Sequence, residues 1–224
     1  MFARLETSFE AEKQFTSDAS HELRTPTAVI LAQCDYARKN VLQPEQYSQA
    51  IDVIQRQAQK MSDLINQLLQ MTRLEQGTQQ VALEEANLSD LVEVICGEQP
   101  AFPHGITLQT AIQPDIEACF DVTLMSRLLQ NLLNNAVQYG REQGHIWVCL
   151  RQEEDHILLS VTDDGIGIPA AKLDRIWQRF YQVDVSRGGD TGAGLGLSMV
   201  RQIASLHRGS VTVESEEGRG SRCV

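Results

Sequence analysis

The 224 residues contain no run of about 18 apolar side chains, and no basic-then-apolar segment opens them. Nothing in this stretch therefore reads as a membrane span or a secretory leader. Paired cysteines are missing as well. The five cysteines, at 34, 96, 119, 149 and 223, are odd in number and hold no Cys-x-x-Cys pair. That excludes the common zinc and redox signatures and reads as reduced thiols in a cytosolic protein. Positive charge is scarce: 19 Lys and Arg stand against 30 Asp and Glu, a formal charge of −11. Such a surface repels phosphate backbones and argues against nucleic acid as a partner, so an anionic nucleotide would need local compensation. Internal repeats and low-complexity segments are also absent.

What is present divides near Gly77. With 42% hydrophobic residues, the chain can bury one substantial core plus a smaller helical unit. Ile51, Ile54, Ala58, Met61, Ile65 and Leu68 are spaced alternately three and four apart, which predicts the seam of a packed helix. Upstream, the stretch from about Phe2 to Arg38 also favours helix, with Phe2, Leu5 and Phe9 at similar spacing, Pro26 as the interruption, and a turn over Asn40 to Pro44. Two such helices cannot cover both apolar stripes, so residues 1–76 are expected to form a hairpin that dimerises into a four-helix bundle.

Residues 77–224 have a different texture. Asn87 followed by Asp90 predicts a capped helix start. Strands are expected over Ile106–Ala111, Ile146–Arg151, Ile157–Thr162 and Ser210–Glu214, with helices over Val122–Tyr139 and Leu195–Leu206. The whole is an α+β chain, its second part a sheet with helices on one face.

The chemistry begins with one segment of the first helix, Phe15-Thr-Ser-Asp18-Ala-Ser20-His21-Glu22-Leu23-Arg24-Thr25-Pro26. A neutral imidazole is a good nucleophile near pH 7. Glu22 can accept the ring proton or orient the ring, and Thr25, four residues beyond His21, shares its helical face and can position a water. Pro26 removes one helical hydrogen bond beside them and is expected to bend the helix. This segment resembles the phosphoacceptor box of sensor histidine kinases. The resemblance implies His21 as the phosphorylated residue, Glu22 as the acid that assists, and Thr25 as a helper in removing phosphate from a partner response regulator.

Three further elements follow. Leu124, Leu128, Leu129, Leu132, Leu133, Ala136 and Val137 make one apolar face, while Asn131 and Asn135 sit a turn apart on another. Amide oxygens at that spacing suit a hard cation such as Mg²⁺. A strand then runs into Thr162-Asp163-Asp164-Gly165-Ile166-Gly167-Ile168-Pro169, where an ionised Asp163 suits an adenine amino group and disfavours guanine's carbonyl. Gly192-Ala193-Gly194-Leu195-Gly196-Leu197 opens a helix and can present amide hydrogens to phosphates.

In this order, the three resemble the N, G1 and G2 boxes of the histidine-kinase and Hsp90-like ATPase superfamily, whose fold is an α/β sandwich. Ile176-Trp-Gln-Arg179-Phe180-Tyr181-Gln182 between them resembles its F box. The resemblance implies an ATP site on Asn131, Asn135, Gln138 and Tyr139, on Asp163, Gly165, Gly167 and Ile168, on Phe180, and on Gly192, Gly194, Leu195, Gly196 and Leu197. It places Mg²⁺ on Asn131 and Asn135, Arg179 near the terminal phosphate, Arg187 as a weaker second, and a lid around Gly188 and Gly189. Gln138 departs from a frequent Lys and Gln182 from a common Arg, leaving Mg²⁺, Arg179 and backbone amides to carry more of the neutralisation.

The expected activity is ATP-dependent autophosphorylation of His21, then transfer to an aspartate of a response regulator, with regulator dephosphorylation on the same helices. A water-activating ATPase of the same superfamily would need a Glu where Asn131 stands. A silent module that senses or scaffolds without transferring phosphate is kept as a second alternative because of the two missing cations. His104, His145, His156 and His207 show no metal-like spacing and receive no role. The first residues look like a helix entered partway, so membrane-spanning helices are expected upstream, with this portion in the cytoplasm.

Overall fold

The structure is a computed structural model, and it describes residues 2–40, 43–76, 80–99, 102–183 and 192–224, with side chains from Glu12 onward. The side chains of Phe2, Leu5 and Phe9, residues 41–42 of the expected turn, Gly77, Arg187, Gly188 and Gly189 lie outside the described residues. The chain forms two compact units, Met1–Gln76 and Gly77–Val224.

The first unit is a hairpin of α1 (Phe2–Lys39) and α2 (Pro44–Glu75). Pro44 opens α2, where its missing N–H costs nothing, and Gln46 Oε1 accepts from the Gln43 amide at 2.9 Å. Pro26 lies inside α1 and is buried. α1 continues through it, although Pro26 offers no donor to the Glu22 carbonyl one turn back. Thr27, on the adjacent position, donates to the Leu23 carbonyl at 2.7 Å and faces Met61 of α2.

The seam read from spacing coincides with the buried side at half of its positions: Ile54, Met61 and Leu68 are half-buried, while Ile51, Ala58 and Ile65 are exposed and lie one residue off the more buried Ala50, Gln57 and Leu64. Ala50, Leu64, Met71 and Leu74 are the buried positions of α2, whereas Ile51 is 60% exposed, Ile65 43% and Leu69 51%. Seven-residue spacing is shared by neighbouring stripes, so periodicity alone does not say which one meets α1. α2 thus carries a second apolar stripe that a single chain leaves uncovered.

The second unit is built from β1 (Glu84–Asn87), α3 (Leu88–Gly97), β2 (Thr107–Ile112), β3 (Glu117–Phe120), α4 (Val122–Gln138), β4 (His145–Glu153), β5 (His156–Asp163), α5 (Gly196–Leu206), β6 (Val213–Glu216) and β7 (Gly220–Cys223). Five strands make a sheet in the order β2-β4-β5-β7-β6, with β2 parallel to β4 and the rest antiparallel. β1 and β3 pair separately. On β4 Ile146, Val148 and Leu150 alternate into the core, the period expected of a strand with one face buried. Against them pack Leu124, Leu129 and Leu133 of α4 and Val200 and Ile203 of α5, each no more than 2% exposed.

Caps set the helix starts. Asn87 accepts from the Asp90 amide at 3.0 Å, as expected. Asp121, buried before α4, accepts from Leu124 N–H at 2.9 Å and from Ala82 N–H at 2.9 Å. The Asp121 amide in turn donates to His207 Nε2 at 3.0 Å, giving that histidine a structural use.

The expected strands at β2, β4 and β5 shift by a residue or two. The last one moves from Ser210–Glu214 to Val213–Glu216. β1, β3 and β7 are four residues each and too polar or short to show alternation; long-range pairing creates them. No helix among the described residues is long and apolar enough to cross a membrane.

Candidate functional site

On α1, the imidazole of His21 is exposed, Thr25 is exposed and Glu22 half-buried. The ring is therefore open to solvent on a rigid helix, with a carboxylate next to it and a hydroxyl one turn away.

The second unit gathers its sequence-marked residues around the C-terminal half of α4. Asn131 donates through Nδ2 to Met199 Sδ at 3.5 Å, which leaves its carbonyl oxygen for other partners. A β-carbon on Gly196 would stand 3.4 Å from that oxygen and 3.6 Å from the Asn135 amide, and one on Gly192 would stand 3.4 Å from Gln138 Oε1. The glycine-rich segment therefore lies directly over the amides of α4. Asn135 Nδ2 and Gln138 Nε2 are buried with no hydrogen-bond partner among the described residues. Leu195 is 1% exposed and anchors the segment in the core.

Gln182, at the position of a missing Arg, donates Nε2 to the Gly192 carbonyl at 2.6 Å. Its amide thus serves the stem of the glycine-rich segment. Gly194 has φ +70° and is packed against Phe180, whose α-carbon a side chain there would approach to 3.0 Å. Arg179 and Phe180 are half-buried in the turns after Ile176.

The loop after β5 is gripped from two sides. Gly165 lies on the last turn of α4: a β-carbon would come 2.2 Å from the Tyr139 carbonyl oxygen. That same carbonyl accepts from Ile166 N–H at 3.1 Å. Gly167, at φ +65°, lies on the β6–β7 hairpin, where a β-carbon would come 2.0 Å from the Glu216 oxygen. Ile168 N–H donates to Ser215 Oγ at 2.8 Å. Ser215 went unread in the sequence because its only signal is the sheet register that brings β6 and β7 here.

Asp163 accepts from Gly165 N–H at 2.9 Å and from the Ser221 backbone. Burial nonetheless pushes its carboxyl up from 3.8 to about 6, against the pull of those two amides and with a smaller upward push from Asp164. Burial also raises the Tyr139 phenol, and it raises the Cys96 and Cys223 thiols to about 11 and about 12. These cysteines stay protonated and inert at neutral pH.

A pH dependence of known sign follows. If Asp163 meets the base as the resemblance implies, its ionised form accepts more strongly from an exocyclic amine than its protonated form, which keeps only a weaker neutral acceptor. Affinity for ADP is expected to fall about tenfold per pH unit below pH 6. The nucleotide-free unit moves oppositely. A carboxyl whose folded pKa is raised adds stability that is full below 3.8 and lost as pH rises through about 6. Calorimetric titration with ADP and thermal melts from pH 5 to 7.5 check both, with Asp163→Asn as the reference; parallel profiles in the two chains would contradict the assignment.

Comparison with known proteins follows the same division. Residues 11–77 match the family model described as His Kinase A (phospho-acceptor) domain, and residues 120–224 match Histidine kinase-, DNA gyrase B-, and HSP90-like ATPase. Sensor histidine kinase RppB of Synechocystis sp. is 35% identical over 219 residues, covering 96% of this chain and 48% of RppB. The chain thus spans about half the length of that relative. Among solved structures, full-length ShkA in complex with AMPPNP superposes with a TM-score of 0.67 at 25% identity, over 95% of this chain and 44% of ShkA. Histidine kinase ThkA, in complex with response regulator protein TrrA, superposes at 0.76 over 97% of this chain and 62% of that one, at 20% identity. A phosphoacceptor hairpin followed by an ATPase domain, related along nearly its whole length to such proteins, makes this chain a member of the sensor histidine kinase family.

Proposed function

We propose that this chain is a kinase core that moves the γ-phosphoryl group of ATP onto His21 and from there to an aspartate of a response regulator, with dephosphorylation of that regulator on the same hairpin. The observations that carry the reading are an exposed imidazole on α1 and, in the second unit, two buried amide nitrogens of α4, Asn135 Nδ2 and Gln138 Nε2, that have no hydrogen-bond partner among the described residues and lie near a glycine-rich segment. Buried donors without partners cost free energy unless a polar ligand meets them, and phosphate oxygens do so.

In this reading Asp163 accepts from the adenine amino group, and the amides of Gly192, Gly194 and Gly196 with Gln138 and Arg179 hold the phosphates. Leu195, Leu197, Ile168, Tyr139 and Phe180 line the pocket or back it, and Gly165 and Gly167 let its wall close. Asn131 and Asn135 would hold Mg²⁺ through their amide oxygens, and the ion would supply charge that offsets the phosphates. The imidazole lone pair of His21 attacks the γ-phosphorus as the bond to the bridging oxygen breaks and ADP leaves, and Glu22 takes the ring proton. Thr25 positions water for the reverse duty on the regulator.

The uncovered stripe of Ile51, Ile65 and Leu69, with Leu31 of α1 62% exposed, supports a homodimer closed into a four-helix bundle. ThkA was solved with a response regulator, which supports the same class of partner here. No nucleic acid is involved. We place this portion on the cytoplasmic side, with any membrane contact made outside it.

The test is incubation with γ-labelled ATP and Mg²⁺, followed by acid and alkali treatment and then by addition of receiver domains. A phosphoramidate is acid-labile and alkali-stable, and it transfers to a receiver aspartate. Acid-stable label would put the phosphoryl group on a hydroxyl and overturn the reading; no label at all would favour a silent binding module.

A further inference from the structure

Asp163 and Asp164 are adjacent carboxylates with opposite surroundings. Neighbouring side chains at the end of a strand point to opposite faces, so Asp163 turns toward the helices and Asp164 away from them. There, Asp164 Oδ2 accepts from Arg141 Nη2 at 2.6 Å and lies 3.1 Å from His145 Nδ1, while Oδ1 accepts from the His145 backbone N–H at 2.8 Å. The Asp164 amide returns a bond to the His145 carbonyl at 3.3 Å. Burial pushes this carboxyl up, but the His145 amide and ring and the Arg141 guanidinium outweigh it, so it sits below its ordinary value.

All of these partners belong to one segment, the turn that leaves α4 and enters β4. Gly144 N–H donates to the Arg141 carbonyl at 3.0 Å within it. Gly144 must lack a side chain there, since a β-carbon would stand 2.7 Å from Asp164 Oδ1. Two residues away, Ile166 N–H reaches the Tyr139 carbonyl at the end of α4. The loop bearing Asp163 and the helix bearing Asn131, Asn135 and Gln138 are thus sewn together on the face opposite the nucleotide pocket. Asp164 supplies the side-chain half of the stitching. The His145 ring is steadied by stacking on Trp147, at 5.5 Å between centroids.

We propose that Asp164 is a positioning residue for base recognition: by holding the 141–145 turn, it fixes the angle between the loop that presents Asp163 to the base and the helix that faces the phosphates. Arg141 and His145 act with it, and none of the three touches the nucleotide. The role in base recognition rests on the nucleotide reading above, whereas the grip on the loop does not. The two can be tested separately.

The first measurement needs no nucleotide: amide hydrogen exchange over residues 163–167 in the full chain. Asp164→Ala is expected to speed exchange about tenfold, and Asp164→Asn, which keeps an acceptor for the His145 amide, by about threefold or less. Unchanged exchange in Asp164→Ala overturns the proposal. The second measurement is binding of ADP and GDP. Asp164→Ala is expected to weaken ADP about tenfold and to narrow the preference for ADP over GDP, with recovery in Asp164→Asn. A lower melting temperature with an unchanged ADP to GDP ratio would make Asp164 a staple of the fold alone and also overturn it. Faster exchange in a parent chain that binds neither nucleotide would instead sink the nucleotide reading and leave the grip on the loop standing. Should Asp164→Ala fail to fold, Arg141→Gln alters a side chain 60% exposed and is expected to move both readouts in the same direction by about threefold; no movement there overturns the proposal equally.

Discussion

Replacing His21 by glutamine is expected to abolish incorporation of label from γ-labelled ATP while leaving ADP affinity and the melting temperature at the parent values. The ring is exposed on the surface of α1, so its loss removes little packing, and surface substitutions of this kind stay within about 0.5 kcal/mol. Glutamine keeps the polarity and helix propensity of the site. Its amide nitrogen, however, has its lone pair delocalised into the carbonyl and does not attack phosphorus. Counting acid-labile label per chain, beside calorimetry with ADP, checks both halves. Label that survived the substitution would move the acceptor to another side chain; lost ADP binding would show that the substitution acted through the fold instead. Glu22→Gln is expected to slow labelling by about two orders of magnitude, the range of a single general base, without removing the acceptor.

Gly167→Ala should have the largest effect on the pocket. At φ +65° a β-carbon costs about 1–2 kcal/mol in backbone conformation alone. The same β-carbon would be 2.0 Å from the Glu216 oxygen, which is backbone and cannot swing aside. The β6–β7 hairpin must therefore part from the loop, carrying away the Ser215 hydroxyl that holds Ile168 and the Gly218 amide, which donates to the Ile166 carbonyl at 2.7 Å. We expect about 3 kcal/mol or more of destabilisation and ADP affinity below detection. Gly218→Ala is the built-in comparison. Gly218 has a similar φ of +81°, but a β-carbon there meets nothing within 4 Å. Only the conformational cost should appear, about 1–2 kcal/mol, with ADP binding retained. Denaturant melts and ADP titration of both variants separate the two terms; equal losses would mean that contact with the hairpin contributes nothing.

How much was legible depended on whether the signal was local. His21 and Thr25 are four residues apart with Glu22 next to the histidine, so the face shared by His21 and Thr25 could be read directly from spacing. α4 was legible because its apolar period is contiguous, whereas its Asp121 cap was not read in advance. The buried stripe of α2 was legible only in part: Ile54, Met61 and Leu68 were read correctly, but Ile51, Ala58 and Ile65 stand one residue from the buried positions, and the choice between two stripes of the same period belongs to α1. Gln182 was read as a lost charge; the structure gives it a hydrogen bond to Gly192, which no spacing rule would announce. β7 was missed for a related reason. Gly-Ser-Arg-Cys has little strand character of its own, and its pairing with β5 is what makes it a strand.

The sequence by itself determined which groups this protein has available: an imidazole with a carboxylate and a hydroxyl close by, paired amides on a helix, a carboxylate at the end of a strand and a glycine-rich segment. Each is a run of neighbouring residues whose types and spacing carry the meaning. Only the tertiary structure decided how the pieces within the second unit face one another. The register of β5 with β7 delivers the Ser221 amide to Asp163. The grip of Asp164 on Arg141 and His145 ties the base acceptor to α4. The physical reason is the same in both cases. A hydrogen bond between distant segments is set by where the sheet and the core place their backbones, and residues that serve it need no pattern of their own in the chain.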